Sequence, residues 1–242
     1  MTQSSPNPAG PAEARKLLRQ LLQAVESRVR FDQHLGVPGY PAAVRPEDPA
    51  AALARIRAEL GECTRCRLAQ SRTRIVFGSG NPCTRLMFVG EGPGEDEDRE
   101  GLPFVGKAGK LLTNIIENGM KLKRAECYIA NVVKSRPPQN RAPSPEEIAA
   151  CFPFLEAQIR AIRPEVIVAL GAVAAHALLH TEAPISRLRG QWAKWQGIPV
   201  MPTFHPSYLL RNESAKRLVW EDIQKVMARL AGRAGAREVK SK

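Results

Sequence analysis

The stretch Arg85-Leu86-Met87-Phe88-Val89-Gly90-Glu91-Gly92-Pro93-Gly94-Glu95 decides the fold. Its apolar first half stops abruptly on a glycine-rich turn, as a buried strand does where it gives way to a loop. Working outward, three more apolar runs read as strands: Tyr128–Val133, Val166–Leu170 and Val200–Phe204. Helical patterns follow each. Lys107–Asn118 ends at Gly119, Ser144-Pro145-Glu146-Glu147 starts a helix running to about Arg163, Ala172–Leu179 is short, and Ser214–Leu230 is last. Asp48 before Pro49 starts a further helix, through Leu60 to Gly61. Strands alternating with helices predict an α/β fold: a single domain with a central four-stranded parallel sheet, flanked by helices on both faces.

Open parallel sheets bind ligands beyond the carboxyl ends of their strands. Four segments therefore converge on one crevice: the glycine turn, Gly101-Leu102-Pro103-Phe104-Val105-Gly106, Asn131-Val132-Val133-Lys134-Ser135-Arg136-Pro137-Pro138, and His205-Pro206-Ser207-Tyr208-Leu209-Leu210-Arg211. A glycine turn, an aromatic, an amide and an imidazole suit a flat, polar ligand read along its edge, such as a nucleobase. The turn lets backbone at Gly90 and Gly92 approach a ligand closely, but its spacing and Pro93 differ from a dinucleotide fingerprint. The Asn131 carboxamide complements the N3–H and O4 of uracil and mismatches cytosine, although a plain capping asparagine fits the position as well. His205 is placed as an electrophile or acid, with a structural role as the alternative. The acidic run Glu95-Asp96-Glu97-Asp98 reads as a solvated loop, one member of which could handle water.

The 242 residues carry 36 Lys and Arg against 24 Asp and Glu, a formal charge of +12. That balance suits a polyanion such as DNA, though a generically basic proteome gives the same figure. No run reaches the ~18 apolar residues of a membrane span. Met1–Pro11 lacks the basic and apolar regions of a signal peptide, so a cytoplasmic protein is expected. In a reducing compartment the five cysteines are not expected to form disulfides. Cys63-x-x-Cys66, with Cys151 far downstream, points either to a metal or cluster site or to a redox pair and free thiols. No histidine lies nearby at a zinc-like spacing. Cys127 reads as a buried strand thiol and Cys83 as a turn residue.

Residues 1–50 read as an extension. A helical period runs over Ala12–Phe31, and Pro38, Pro41, Pro46 and Pro49 mark a linker that leaves the segment loose. Residues 51–232 form the main domain and 233–242 a basic tail.

From Gly61 to about Met227 the chain resembles the family 4 uracil-DNA glycosylases, the iron–sulfur branch of that superfamily. The resemblance rests on Cys63-x-x-Cys66, Gly90-Glu91-Gly92-Pro93-Gly94-Glu95, Leu102-Pro103-Phe104-Val105-Gly106, Asn131-Val132-Val133-Lys134, Arg136-Pro137-Pro138-Gln139-Asn140-Arg141 and His205-Pro206-Ser207. It implies that Phe104 stacks on a flipped uracil, Asn131 reads its edge, His205 hydrogen-bonds O2, and Gly90, Glu91 and Gly92 line the pocket. Cys63, Cys66 and Cys151 match three ligands of the family's 4Fe–4S cluster. Ser135 stands where that pattern has its fourth cysteine. A serine oxygen ligates iron only as an alkoxide, which implies a weakened or incomplete cluster. Ligation by Ser135 or solvent, an engineered substitution and a lost cluster all remain open at this point.

The activity implied is excision of uracil from single- or double-stranded DNA by a monomeric, monofunctional glycosylase, the first step of base excision repair. His205 would stabilise the leaving base. Gly92 stands where better-known uracil glycosylases carry a water-activating Asp, leaving Glu91 or Glu97 to stabilise the sugar electrostatically. No lysine stands out for lyase chemistry. Tyr208, Leu209 and Leu210 are candidate wedges for the vacated stack. Two other readings are a uracil-DNA binding protein that traps its substrate covalently, whose basic histidine-containing loop is missing after Lys134, and a non-catalytic damage-binding module.

Overall fold

The computed structural model describes residues 11–34 and 47–238, which fall into two compact units, Met1–Glu47 and Asp48–Lys242. In the first unit a helix α1 (Pro11–His34) forms, on which Leu18, Leu21, Leu22 and Val25 are exposed. Met1–Gly10 and the linker prolines Pro38, Pro41 and Pro46 lie outside the described residues.

The second unit is built on a six-stranded sheet. In chain order its strands are β1 (Ser79–Gly80), β2 (Leu86–Gly90), β3 (Tyr128–Asn131), β4 (Val166–Leu170), β5 (Ala193–Trp195) and β6 (Ile198–Thr203). They lie side by side as β1-β3-β2-β4-β6-β5. The inner four are parallel, as the apolar runs predict. Strands β1 and β5 add antiparallel edges, which the sequence reading lacked because two or three residues are too short to show a period. Helices α2 (Pro49–Leu60), α3 (Glu95–Glu100), α4 (Lys107–Asn114), α5 (Pro145–Ile162), α6 (Ala172–Leu179), α7 (Ile185–Leu188), α8 (Pro206–Leu209) and α9 (Ala215–Glu238) complete the unit.

The strand residues alternate between two buried layers. Met87, Val89, Ile167 and Ala169 pack with Leu53, Ile56, Leu155 and Ile159 of α2 and α5. Leu86, Phe88, Val166 and Val168 pack with Leu112, Val219, Ile223 and Val226 of α4 and α9. A period-2 backbone presents opposite faces at successive residues, and here both faces are apolar because helices cover both.

Several elements differ from expectation: β3 ends at Asn131 rather than Val133, and β6 runs from Ile198 to Thr203 rather than from Val200 to Phe204. Helix α4 gives way at Asn114 to a wide turn over Ile115–Gly119, in which Met120 N–H donates to the Ile115 carbonyl at 2.9 Å. The acidic run is the short helix α3 rather than a loop. Helix α9 continues to Glu238, past the expected end at Leu230, its alanines and arginines favouring the helix against the two glycines Gly232 and Gly235.

Candidate active site and cysteine cavity

Register places the site. Gly90 and Asn131 are paired neighbours at the carboxyl ends of β2 and β3, and β4 and β6 end beside them at Leu170 and Thr203. Beyond these ends lies a cavity of about 300 Å³ whose lining includes Glu91, Glu97, Phe104, Asn131 and His205. A Cβ on Gly90 would sit 2.5 Å from Asn131 Oδ1 and 2.5 Å from Phe104 Cζ, so glycine there is what lets both side chains reach the cavity. At Gly92 a Cβ would meet Val133 Cγ2 at 2.7 Å, which leaves no room for a carboxylate.

Phe104 is buried and has a left-handed backbone, φ 54°. Such a conformation costs a bulky residue on the order of 1 kcal/mol and persists only where the surroundings impose it. Two contacts impose it. Gly109 presses so close that a Cβ there would lie 2.0 Å from the Phe104 carbonyl. Glu97 Oε1 accepts from the Val105 and Gly106 N–H groups at 2.9 Å each, while its Oε2 accepts from Gly94 N–H at 3.0 Å. Glu97 thus fastens the glycine turn to the Phe104 loop, and its oxygens are already engaged. Asp98 is likewise turned inward, accepting from Thr73 and Arg74 N–H, whereas Asp96 pairs outward with Arg99 at 2.6 Å.

Asn131 is 1% exposed, and its Oδ1 is buried without a hydrogen-bond partner among the described residues. An unpartnered buried carbonyl is expensive, ~1–3 kcal/mol, unless a ligand completes it. His205 Nδ1 accepts from the Ser207 N–H at 3.1 Å and lies 2.7 Å from Ser207 Oγ. Since Nδ1 accepts, the proton of the neutral ring sits on Nε2. Burial pushes the imidazole down to about 4, against a smaller opposing pull from Glu97, so the ring is neutral at physiological pH. The Phe104 and His205 rings lie 5.5 Å apart between centroids. Burial raises the Glu91 carboxyl above its ordinary range.

The His205 loop is anchored from behind. Buried Asp222 accepts from Arg189 Nε at 3.0 Å, from Arg189 Nη2 and from Thr203 Oγ at 2.6 Å, fixing the end of β6 two residues before His205. Among the wedge candidates, Leu209 is 1% exposed and packs into the core, which removes it. Tyr208 and Leu210 are 40% and 48% exposed.

A second, smaller cavity lies on the other side of Lys134, lined by Cys63, Cys66, Ser135 and Cys151 with apolar walls from Leu60, Leu68 and Ile75. All three cysteines are free. Cys151 Sγ accepts from the Lys134 N–H at 3.2 Å, and Cys63 Sγ from Arg65 Nη1 at 3.3 Å. Arg72 Nη1 donates to Cys63 O at 2.6 Å and to Ser135 Oγ at 3.4 Å. Burial raises the Cys151 thiol, Lys134 opposes that, and Cys66 and Cys63 add to it. Among the described residues no three His, Cys, Asp or Glu side chains are gathered tightly enough for a single metal ion. The thiols ring a cavity rather than converge on a point. Cys127, pushed up to about 11 by burial, and exposed Cys83 lie outside this cavity's lining.

Sequence reasoning missed the polar group between the two cavities. Lys134 is fully buried, and its Nζ donates to the Asn131 carbonyl at 2.8 Å and to Gln158 Oε1 at 2.6 Å. Gln158 in turn donates to Phe77 O at 2.9 Å and Tyr128 Oη at 3.3 Å. The signal available was a glutamine on the apolar stripe of α5. No helix among the described residues is long and apolar enough to cross a membrane.

A family model described as the uracil DNA glycosylase superfamily matches residues 77–224. The chain is 54% identical to the type-4 uracil-DNA glycosylase of Thermotoga maritima, an alignment covering 68% of this chain and 87% of that one. It is 43% identical to the type-4 enzyme of Sulfurisphaera tokodaii, covering 72% and 83%. Identity falls to 30% with the type-5 uracil-DNA glycosylase of Pyrobaculum aerophilum, over 64% and 67%. The crevice of β2, β3 and β6 lies within the matched region, and the chain belongs to the uracil DNA glycosylase superfamily, among its type-4 members.

Proposed function

We propose that this chain flips uracil out of DNA and hydrolyses its N-glycosidic bond, so initiating base excision repair. One observation carries the reading: the buried, unpartnered Asn131 Oδ1, which the N3–H of uracil would satisfy while the amide nitrogen donates to O4. Cytosine offers a lone pair at N3 and an amino group at C4, so both contacts would be lost. Phe104 supplies the flat face against the base.

As the C1′–N1 bond breaks, its electron pair passes to the uracil ring and charge gathers on O2. Neutral His205 presents its Nε2–H to that oxygen. A fixed donor in a dry site acts most strongly on the charge that develops, so this hydrogen bond mainly lowers the barrier. Water attacks C1′, and its proton is released to solvent or to Glu91. The Glu91 carboxylate faces the sugar and stabilises its cationic character, while Glu97 acts as a positioning residue through the three N–H groups it holds. Gly92 forms part of the wall against the base, while Gly90, outside the lining, leaves the space that Asn131 and Phe104 occupy. The phosphates on either side supply most of the sequence-independent affinity for a basic surface. Tyr208 and Leu210 are the side chains available to fill the vacated stack.

Cys63, Cys66 and Cys151, with Ser135 as the fourth donor, are proposed to hold a 4Fe–4S cluster. Three free thiols, two of them already accepting N–H donors, and a hydroxyl ring one apolar-walled cavity, a donor set that suits such a cluster better than a lone ion. When bound, it would cross-link the Cys63–Cys66 loop, the end of β3 and α5, a structural rather than a redox role.

Incubation with a uracil-containing oligonucleotide followed by alkali tests the function. Strand breaks that depend on alkali are expected. An SDS-stable protein–DNA adduct would point to covalent trapping instead, and neither product would leave a binding module.

A further inference from the structure

Lys134 joins the two cavities. Its backbone N–H holds Cys151 Sγ at 3.2 Å on one side, and its side chain holds the Asn131 carbonyl at 2.8 Å on the other. The ammonium is fully buried and has no carboxylate partner among the described residues; its acceptors are that carbonyl and Gln158 Oε1. Gln158 is itself aimed by Phe77 O and Tyr128 Oη, so the site of the ammonium is fixed from three elements.

A buried lysine without an acid is a costly feature, since its desolvation is offset only by hydrogen bonds. A methionine or leucine would fill the same space with less penalty. What the ammonium adds is a donor for the Asn131 carbonyl just past the last strand pairing. With that donor removed, the peptide plane after Asn131 has no partner in the interior and turns to seek one. The Asn131 Oδ1 occupies the space that a Cβ on Gly90 would fill, 2.5 Å away, so its place at the crevice depends on how the backbone at Asn131 is held against the glycine turn.

We propose that Lys134 is a positioning residue for base recognition, holding the Asn131 carboxamide in the orientation that reads uracil. The inference rests on the uracil-excision reading above. It assigns to Lys134 no contact with the base or the sugar.

The test uses the full chain and a uracil-containing single strand. Lys134→Met should lower the single-turnover excision rate about tenfold and weaken inhibition by free uracil by a similar factor. Affinity for undamaged DNA and the visible iron absorption should stay at wild-type values, because the backbone contact to Cys151 is kept. In an Asn131→Ala background, Lys134→Met should cost no further rate, since both changes act through one group. A full additional loss in that background overturns the proposal, as does unchanged inhibition by uracil or a loss of iron that parallels the loss of rate. If Lys134→Met does not fold, Gln158→Leu removes the acceptor that aims the ammonium; a several-fold loss with the same non-additivity is expected, and wild-type behaviour overturns the proposal. A wild-type protein that excises no uracil refutes the functional reading itself, which the variant comparison does not touch.

Discussion

The crevice beyond β2 and the cysteine cavity share no lining residue and are joined by the short Asn131–Ser135 segment, yet they are finished to different degrees. In the crevice His205 is oriented by Ser207, Glu97 by three amides and Phe104 by Gly109, and Asn131 Oδ1 is buried without a partner among the described residues. In the cysteine cavity two thiols are only lightly held, and the Ser135 hydroxyl, proposed above as the fourth donor, accepts from Arg72 at 3.4 Å. A preorganised site speeds chemistry because nothing must rearrange as charge moves. A loosely held donor set instead gains order when its group binds. Substitutions in the crevice should therefore change rate with little change in stability, and those in the cysteine cavity the reverse.

The sharpest break is His205→Ala. Loss of one preorganised donor to a developing anion is expected to lower the single-turnover rate by ~10²–10³, with affinity for a uracil-containing duplex nearly unchanged. A variant that binds much more weakly yet cleaves at the wild-type rate when saturated would make His205 a binding group and remove the mechanistic half of the contrast.

Glu97→Gln comes next. One carboxylate now accepts from Gly94, Val105 and Gly106 N–H; an amide has only one acceptor oxygen, so at least one loop loses its anchor and Phe104 is freed. A loss of roughly 10–10² in rate is expected, with the pH profile keeping its shape. A profile that loses its acidic limb would instead give Glu97 the role assigned to Glu91.

How legible these regions were differs in the same way. The four parallel strands and the crevice could be read because buried strands announce themselves as apolar runs and turn residues follow them. Asn131, Phe104 and His205 are brought together as that reading requires. The carboxylates were less legible: charge in a sequence looks solvated, and only packing shows Glu97 and Asp98 turned inward. Leu209 was indistinguishable from Leu210 until the short α8 fixed which of them faces the core. Lys134 was hidden for a similar reason, since its acceptors are a carbonyl and a residue 24 positions on. On the cysteine side, Cys63-x-x-Cys66 gave the spacing but not the cavity, which is closed by Lys134 and Ser135 beyond β3 and by α5 from far along the chain.

The acidic pH limb gives a smaller, graded effect. Glu91 is raised by burial, so excision should decline with falling pH at a higher value than an ordinary carboxylate near ~4.3 would give. His205 stays neutral down to about 4 and should not contribute above that. Glu91→Gln should flatten the limb while lowering the plateau; an unchanged limb would exclude Glu91. Stability runs separately. The folded His205 value lies below the unfolded value of ~6.5, so as pH falls from that value towards 4 the unfolded chain takes up the proton first and stability is lost. His205→Ala should remove that slope from a series of thermal melts.

Ser135→Cys is expected to affect the chemistry least and to test the other half of the contrast most directly. The hydroxyl must lose a far less acidic proton than a thiol to ligate iron, and its neighbour Arg72 is already donating to it. A cysteine there completes a set of four thiolates, so iron per chain after aerobic purification should rise, and the melting temperature should rise with it because the ligands tie the Cys63–Cys66 loop to the end of β3 and to α5. Cys151→Ala should move both quantities the other way. Iron analysis and melting of the two variants beside wild type decide the point. Stoichiometric zinc without iron in the wild-type protein would remove the cluster. Lower iron in Ser135→Cys would show that position 135 is not a ligand, and that the hydroxyl's contact with Arg72 is what the cavity requires.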